Sequence, residues 1–162
     1  MSGLSRPGNE KVLKLRMTLR LMLADDNAPV RRSLKSLLER EGFKVIVEAA
    51  DGEQAVSLAY KHQPDVVLLD LSMPRLNGIE AARRINKSIP AARTIILTVH
   101  GEHHYVLQAL EAGVRGYILK GRAVEDLAKG IRQVAEGKLF LSQGLALEKL
   151  PDCVGTFATR ER

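Results

Sequence analysis

A chain of 162 residues with 45% hydrophobic and 27% charged residues has the size and makeup of a globular domain. One cysteine, Cys153, excludes an internal disulfide framework and a cysteine-rich zinc site, and fits a reduced, cytoplasmic setting. The net charge of +6 suggests nucleic acid, but residues 1–20 hold five basic side chains against one acidic, so the excess lies in an N-terminal tail and the body is nearly neutral.

The tail, residues 1–18, reads as a poorly ordered basic extension with no apolar core of a secretory signal, and Met17 is a plausible natural start. Residues 19–24 (LRLMLA) form a short apolar run that ends at two aspartates, a strand. Asn27 is placed to cap the next helix, with Pro29 in its first turn. Val30, Leu34, Leu37 and Leu38 then share one helical face, and Gly42 ends it. Residues 45–49 give a second strand. Asp51-Gly52 turns into a helix over 53–61, with Ala55, Leu58 and Ala59 inward, closed by Pro64. Residues 66–69 (VVLL) are continuously apolar, as in a parallel strand covered on both faces.

Met73-Pro74 and Asn77-Gly78 mark a loop. A helix over 79–86 follows, then Pro90 and a strand over 94–99 (TIILTV). A short helix over 105–111 stops at Gly113, and 116–119 (GYIL) is the fifth strand. The last helix runs over 124–136, with Leu127, Ile131 and Val134 on one face and Gly137 at its end. Such alternation predicts an α/β fold, a flavodoxin-like (βα)5 doubly wound, five-stranded parallel sheet of order 2-1-3-4-5. Beyond Gly137 the pattern fades: 138–141 is a short apolar stretch, 142–150 a candidate brief helix, and 151 onward a linker. No apolar run reaches the ~18 residues of a membrane span.

Ligands of open α/β sheets sit at the C-terminal ends of the strands. Those ends present Asp25-Asp26, Asp70, Thr98 and Lys120. Three bare carboxylates would repel one another, and a hard divalent cation such as Mg²⁺ relieves that. A lysine and a hydroxyl beside them suit phosphoryl oxygens, and a carboxylate can itself form an aspartyl-phosphate. Singly, each residue has a plain structural explanation: a cap, a packing threonine, a solvated lysine. The force lies in five suitable side chains at four matching strand ends.

With LMLADDN, VVLLDLSMPRLNG, IILTVH and GYILKG in order, residues 19–137 resemble a response-regulator receiver domain of two-component signalling. The resemblance implies Asp70 as phosphoacceptor and Asp25, Asp26, Asp70 and the Ser72 backbone carbonyl as Mg²⁺ ligands. It implies that Lys120 pairs with the phosphoryl oxygens and that Thr98 and Tyr117 form a switch pair. Ser72 and His100 would flank the phosphate, and the surface of the fourth helix, fifth strand and fifth helix would change on phosphorylation. His100, His103 and His104 read as solvated loop residues rather than a metal cluster. The family often has proline after the lysine with a cis bond; Gly121 stands here, and a cis bond to it would cost about 3 kcal/mol, which leaves the loop's geometry open.

GKLFLSQGLA resembles the linker start of the NarL/FixJ (LuxR-type helix-turn-helix) family, and FATRER at 157–162 the opening of its output domain. Residues 138–162 are then a linker toward a DNA-binding domain that this chain lacks. The implied partners are a sensor histidine kinase and a second copy on phosphorylation, with DNA reached only through the missing domain and no membrane. The implied role is a switch that dephosphorylates itself slowly rather than a turnover enzyme. Two alternatives stay open: a receiver-like interaction domain regulated without phosphorylation, and a haloacid-dehalogenase-like phosphatase, which would need an acid where Ser72 stands.

Overall fold

The computed structural model describes residues 18–145. Strand β1 (Arg20–Ala24) leads to helix α1 (Ala28–Arg40), β2 (Lys44–Ala49), α2 (Gly52–His62), β3 (Val66–Leu69) and α3 (Gly78–Ser88). Then come β4 (Arg93–Thr98), α4 (His103–Glu111), β5 (Gly116–Leu119), a 3₁₀ turn (Lys120–Arg122), α5 (Ala123–Ala135) and β6 (Phe140–Leu141). All strand pairs are parallel, in the order β2-β1-β3-β4-β5-β6.

The doubly wound architecture follows from strand alternation. Leu21, Leu23, Val66, Leu68, Ile95, Leu97 and Ile118 pack with Leu34 and Leu38 of α1 and Leu127, Ile131 and Val134 of α5. Met22, Ala24, Val67, Leu69, Ile96 and Tyr117 pack on the opposite side with α2, α3 and α4. Both faces of the central strands are covered, which is why 66–69 carries no polar residue.

Asn27 caps its helix as the sequence predicts, and Asp51 and Asn77, read there as turn and loop residues, also prove to be caps. Asn27, Asp51 and Asn77 accept hydrogen bonds from the Val30, Gln54 and Glu80 amides at 3.1, 2.8 and 2.9 Å. Gly42, Gly113 and Gly137 take φ near +90° just past α1, α4 and α5, the left-handed stop open to glycine.

Two differences appear after α5. The expected five-stranded sheet gains a sixth strand, β6, with Gly116 opposite Phe140 and Tyr117 opposite Leu141. A two-residue strand is too short to show a period, so its pairing rests on the neighbouring edge. The brief helix expected over 142–150 does not form where it can be checked: residues 142–145 are a turn in which Gly144 has φ +92°. The rest of that segment, Cys153, FATRER and residues 1–17 lie outside the described residues. Among the described residues no helix is long and apolar enough to cross a membrane.

Candidate functional site

The carboxyl ends of β1 and β3 are neighbours, so parallel pairing brings their terminal acids together. The Asp70 amide continues the ladder to the Ala24 carbonyl at 2.9 Å, and the Asp25 amide bonds the Ala49 carbonyl at 3.0 Å. Asp25, Asp26 and Asp70 each direct a carboxylate oxygen into one cluster, all within 4.8 Å of one another. At that spacing each like-charge pair repels by roughly 3–4 kcal/mol at an effective dielectric near 20.

One cation answers part of that repulsion. Lys120 Nζ lies 2.9 Å from Asp25 Oδ2 and 3.4 Å from Asp70 Oδ1. Burial works against the ammonium, but its contact with Asp25 and the charge of Asp70 outweigh burial and hold its pKa above the ordinary lysine value. Burial pushes the Asp70 carboxyl up; Lys120 pulls it down, the charge of Asp25 pushes it up again, and the net shift is upward. Three carboxylates against one lysine leave the cluster anionic.

The donor set fits a magnesium ion. Three carboxylates converge on one point, all hard oxygen donors. Asp25 Oδ1 is used by the Asn27 amide at 2.9 Å. Asp25 Oδ2 is buried, and its close partner is the Lys120 ammonium at 2.9 Å. The histidines show no such convergence: among the described residues the aspartate trio is the only metal-competent group. His104 instead packs on Tyr105 at 4.0 Å between ring centroids.

The loop after β3 is held close to Asp70 and to α2 by two tight approaches. A Cβ at Gly78 would fall 2.1 Å from the Asp70 carbonyl oxygen, and one at Gly52 would fall 1.9 Å from that of Leu76. Only glycine permits either. The Gly78 amide bonds the Leu71 carbonyl at 2.9 Å, and Arg75, with φ +69°, reaches Asp51 at 3.9 Å. Ser72 sits exposed in this loop, beside a cavity of about 220 Å³ that Asn77, Tyr105 and Gln108 also line.

Thr98 and Tyr117 meet at a residue the sequence did not single out as their link. The Thr98 hydroxyl accepts from the His100 amide at 3.1 Å, and the Tyr117 hydroxyl donates to the His100 carbonyl at 2.5 Å. Both side chains are fully buried, so Tyr117 points inward. Burial raises its phenol above the ordinary tyrosine range. The Lys120–Gly121 peptide is trans.

Three further contacts escaped sequence reasoning. Arg31 donates to the Asp25 carbonyl at 2.5 Å and ion-pairs Glu48 at 3.1 Å. Ser142 and Asp126 hydrogen-bond behind the Lys120 turn at 2.7 Å. Asp25 and Ser142 lie in motifs that do not name these partners, and Asp126 reads only as an acid in the first turn of a helix.

An acidic cluster on neighbouring strand ends, one lysine over it and a buried hydroxyl pair define a receiver site. The match to the response regulator receiver domain over residues 21–132 agrees, and the chain belongs to that family. It is 37% identical over 129 residues to the response regulator UvrY of Escherichia coli K12, across 79% of this chain and 59% of that protein. It is 34% identical over 124 residues to the transcriptional regulatory protein DegU of Brevibacillus brevis, across 76% of this chain and 52% of that protein. The chain thus spans between half and three-fifths of the length of these relatives. A LuxR-family two-component response regulator from Aurantimonas sp. SI85-9A1 superposes with TM-score 0.77 at 39% identity, covering 81% of this chain and 94% of that one. The receiver domain of the putative NarL of Mycobacterium tuberculosis gives 0.72 at 30% identity, covering 75% and 99%. Membership sets aside the phosphatase alternative.

Proposed function

We propose that this receiver accepts a phosphoryl group on Asp70 and acts as a phosphorylation switch on a transcriptional output. The observation that carries the reading is the Asp25–Asp26–Asp70 cluster with Lys120 on two of its members. An Asp70 carboxylate oxygen attacks the phosphorus of a phosphohistidine on a sensor kinase; the P–N bond breaks, and the imidazole departs and takes a proton. Lys120 stands where its ammonium can follow the charge from the carboxylate to the phosphoryl oxygens. Asp25, Asp26, Asp70 and the Ser72 carbonyl would hold Mg²⁺, which supplies charge neutralisation on the transferred group. The Thr98 hydroxyl, which accepts from the His100 amide, keeps its own proton to donate to a phosphoryl oxygen. Tyr117 shares His100 with it, so a shift of Thr98 is felt by the aromatic and the α4–β5–α5 surface.

The relatives' names, a transcriptional regulatory protein and a LuxR-family regulator, support a DNA-binding output in the whole protein. Self-dephosphorylation, dimerisation on phosphorylation and a cytoplasmic location belong to the same reading.

The test is intact mass after incubation with acetyl phosphate and Mg²⁺. The wild type is expected to gain one phosphoryl group only with Mg²⁺, and Asp70→Asn none. No gain in the wild type, under conditions that label another receiver, would favour regulation without phosphorylation.

A further inference from the structure

The turn that carries Lys120 has little packing of its own. Gly121, at its centre, is exposed, and a Cβ built there would meet nothing within 4 Å. The turn is held instead from its two ends, and both attachments lead to one buried serine in the segment that follows β6.

At the entrance, the Leu119 amide donates to Ser142 Oγ at 3.1 Å. Strand β6 has ended by this point: its ladder covers Gly116 and Tyr117, and the last backbone bond runs from the Ser142 amide to the Tyr117 carbonyl at 2.9 Å. The serine hydroxyl therefore supplies the acceptor for the residue immediately before Lys120. At the exit, Arg122 Nε donates to Asp126 Oδ2 at 3.0 Å, and Ser142 Oγ donates to the same oxygen at 2.7 Å. A hydroxyl has one proton and two lone pairs, so it can donate to Asp126 and accept from Leu119 at once. Ser142 is 2% exposed, so both bonds are shielded from competing water.

Resting on the phosphoacceptor reading above, we infer that Ser142 is a positioning residue for Lys120. It bonds the backbone before the lysine directly and, through Asp126, the Arg122 side chain after it. Lys120 makes its contacts at 2.9 and 3.4 Å from that backbone, and a displacement of about 1 Å in such a site can cost up to a hundredfold in rate. The same bonds tie the chain's exit from the sheet to the phosphorylation site. Coupling between two sites is reciprocal, so occupancy at Lys120 also bears on the hydrogen bonds of Ser142.

A double-mutant cycle on the full chain tests this. Rates of acetyl phosphate labelling are measured for wild type, Ser142→Ala, Lys120→Ala and the double variant, well below each melting temperature. Ser142→Ala is expected to slow labelling about tenfold, to have no further effect in the Lys120→Ala background, and to be largely restored by Ser142→Thr, which keeps the hydroxyl. Amide exchange at Leu119, read without phosphodonor, is expected to accelerate in Ser142→Ala and not in Ser142→Thr. Equal labelling rates for wild type and Ser142→Ala, or equal slowing by Ser142→Ala with and without Lys120, overturn the inference alone. A wild type that takes no phosphoryl group overturns it together with the function it rests on. If Ser142→Ala does not fold, Arg122→Ala removes the exit attachment, and slowing of about threefold that is absent without Lys120 is expected; its absence counts against the inference equally.

Discussion

Asp70 serves two opposed requirements. In the proposed role of nucleophile it must be ionised, yet its place at the end of β3 leaves it 8% exposed beside Asp25. Burial dominates, so its folded pKa lies above the unfolded one. Ionisation of this group therefore costs stability. The cost is absent below the ordinary carboxylate range, near pH 4, and grows as pH rises through the folded pKa. In metal-free buffer Asp70→Asn should melt a few degrees above the wild type at neutral pH, with the difference vanishing below about pH 4. Thermal melts from pH 3 to 8 check this, and a constant difference across the range would contradict it. The identity of the acid was legible because a carboxylate after VVLL has no apolar role. Its altered titration was not, since that depends on Asp25 and Lys120, 45 and 50 positions away.

At the scale of elements, helices were the more legible because each carries a local start or stop signal. Asn27, Asp51 and Asn77 before a periodic stripe, and Gly42, Gly113 and Gly137 after one, are local signals, and the structure uses all six. Strand β6 has no such signal. Phe140 is 8% exposed, buried with Ile118, Ile131 and Val134. Gly130, inside α5, makes room for it: a Cβ there would lie 2.8 Å from the Phe140 ring and equally close to Ile118. A mid-helix glycine costs about 1 kcal/mol against alanine, and here the ring occupies the space it leaves. Phe140→Ala should lower unfolding free energy by about 3–5 kcal/mol, a large part of the ~5–15 kcal/mol a domain has. Urea denaturation measures it, and a loss under 1 kcal/mol would show that β6 is a loose appendage.

For the molecule as a whole, a metal held by the anionic cluster would link its binding to folding. A ligand that binds only the folded state stabilises it by about 2.7 kcal/mol at a hundred times its Kd. Mg²⁺ should raise the melting temperature of the wild type and do so far less for Asp26→Asn, because the exposed Asp26 supplies one of the three converging carboxylates. Calorimetric scans with and without Mg²⁺ decide it, and an equal rise in both proteins would place the metal elsewhere.

The sequence by itself determined the order of strands and helices, the two-sided burial of the sheet and the identities of Asp25, Asp26, Asp70, Thr98 and Lys120. Each is written in periodicity or polarity within a few residues, the strand-end rule gathered the five on one rim, and the receiver resemblance implied their roles. Tertiary structure alone decided what depends on contacts between distant residues. It joined Thr98 and Tyr117 through His100, set Lys120 against Asp25 and Asp70, and brought Ser142 under the turn that presents Lys120. Those outcomes depend on β5 lying between β4 and β6 in register, a long-range condition that no local pattern encodes.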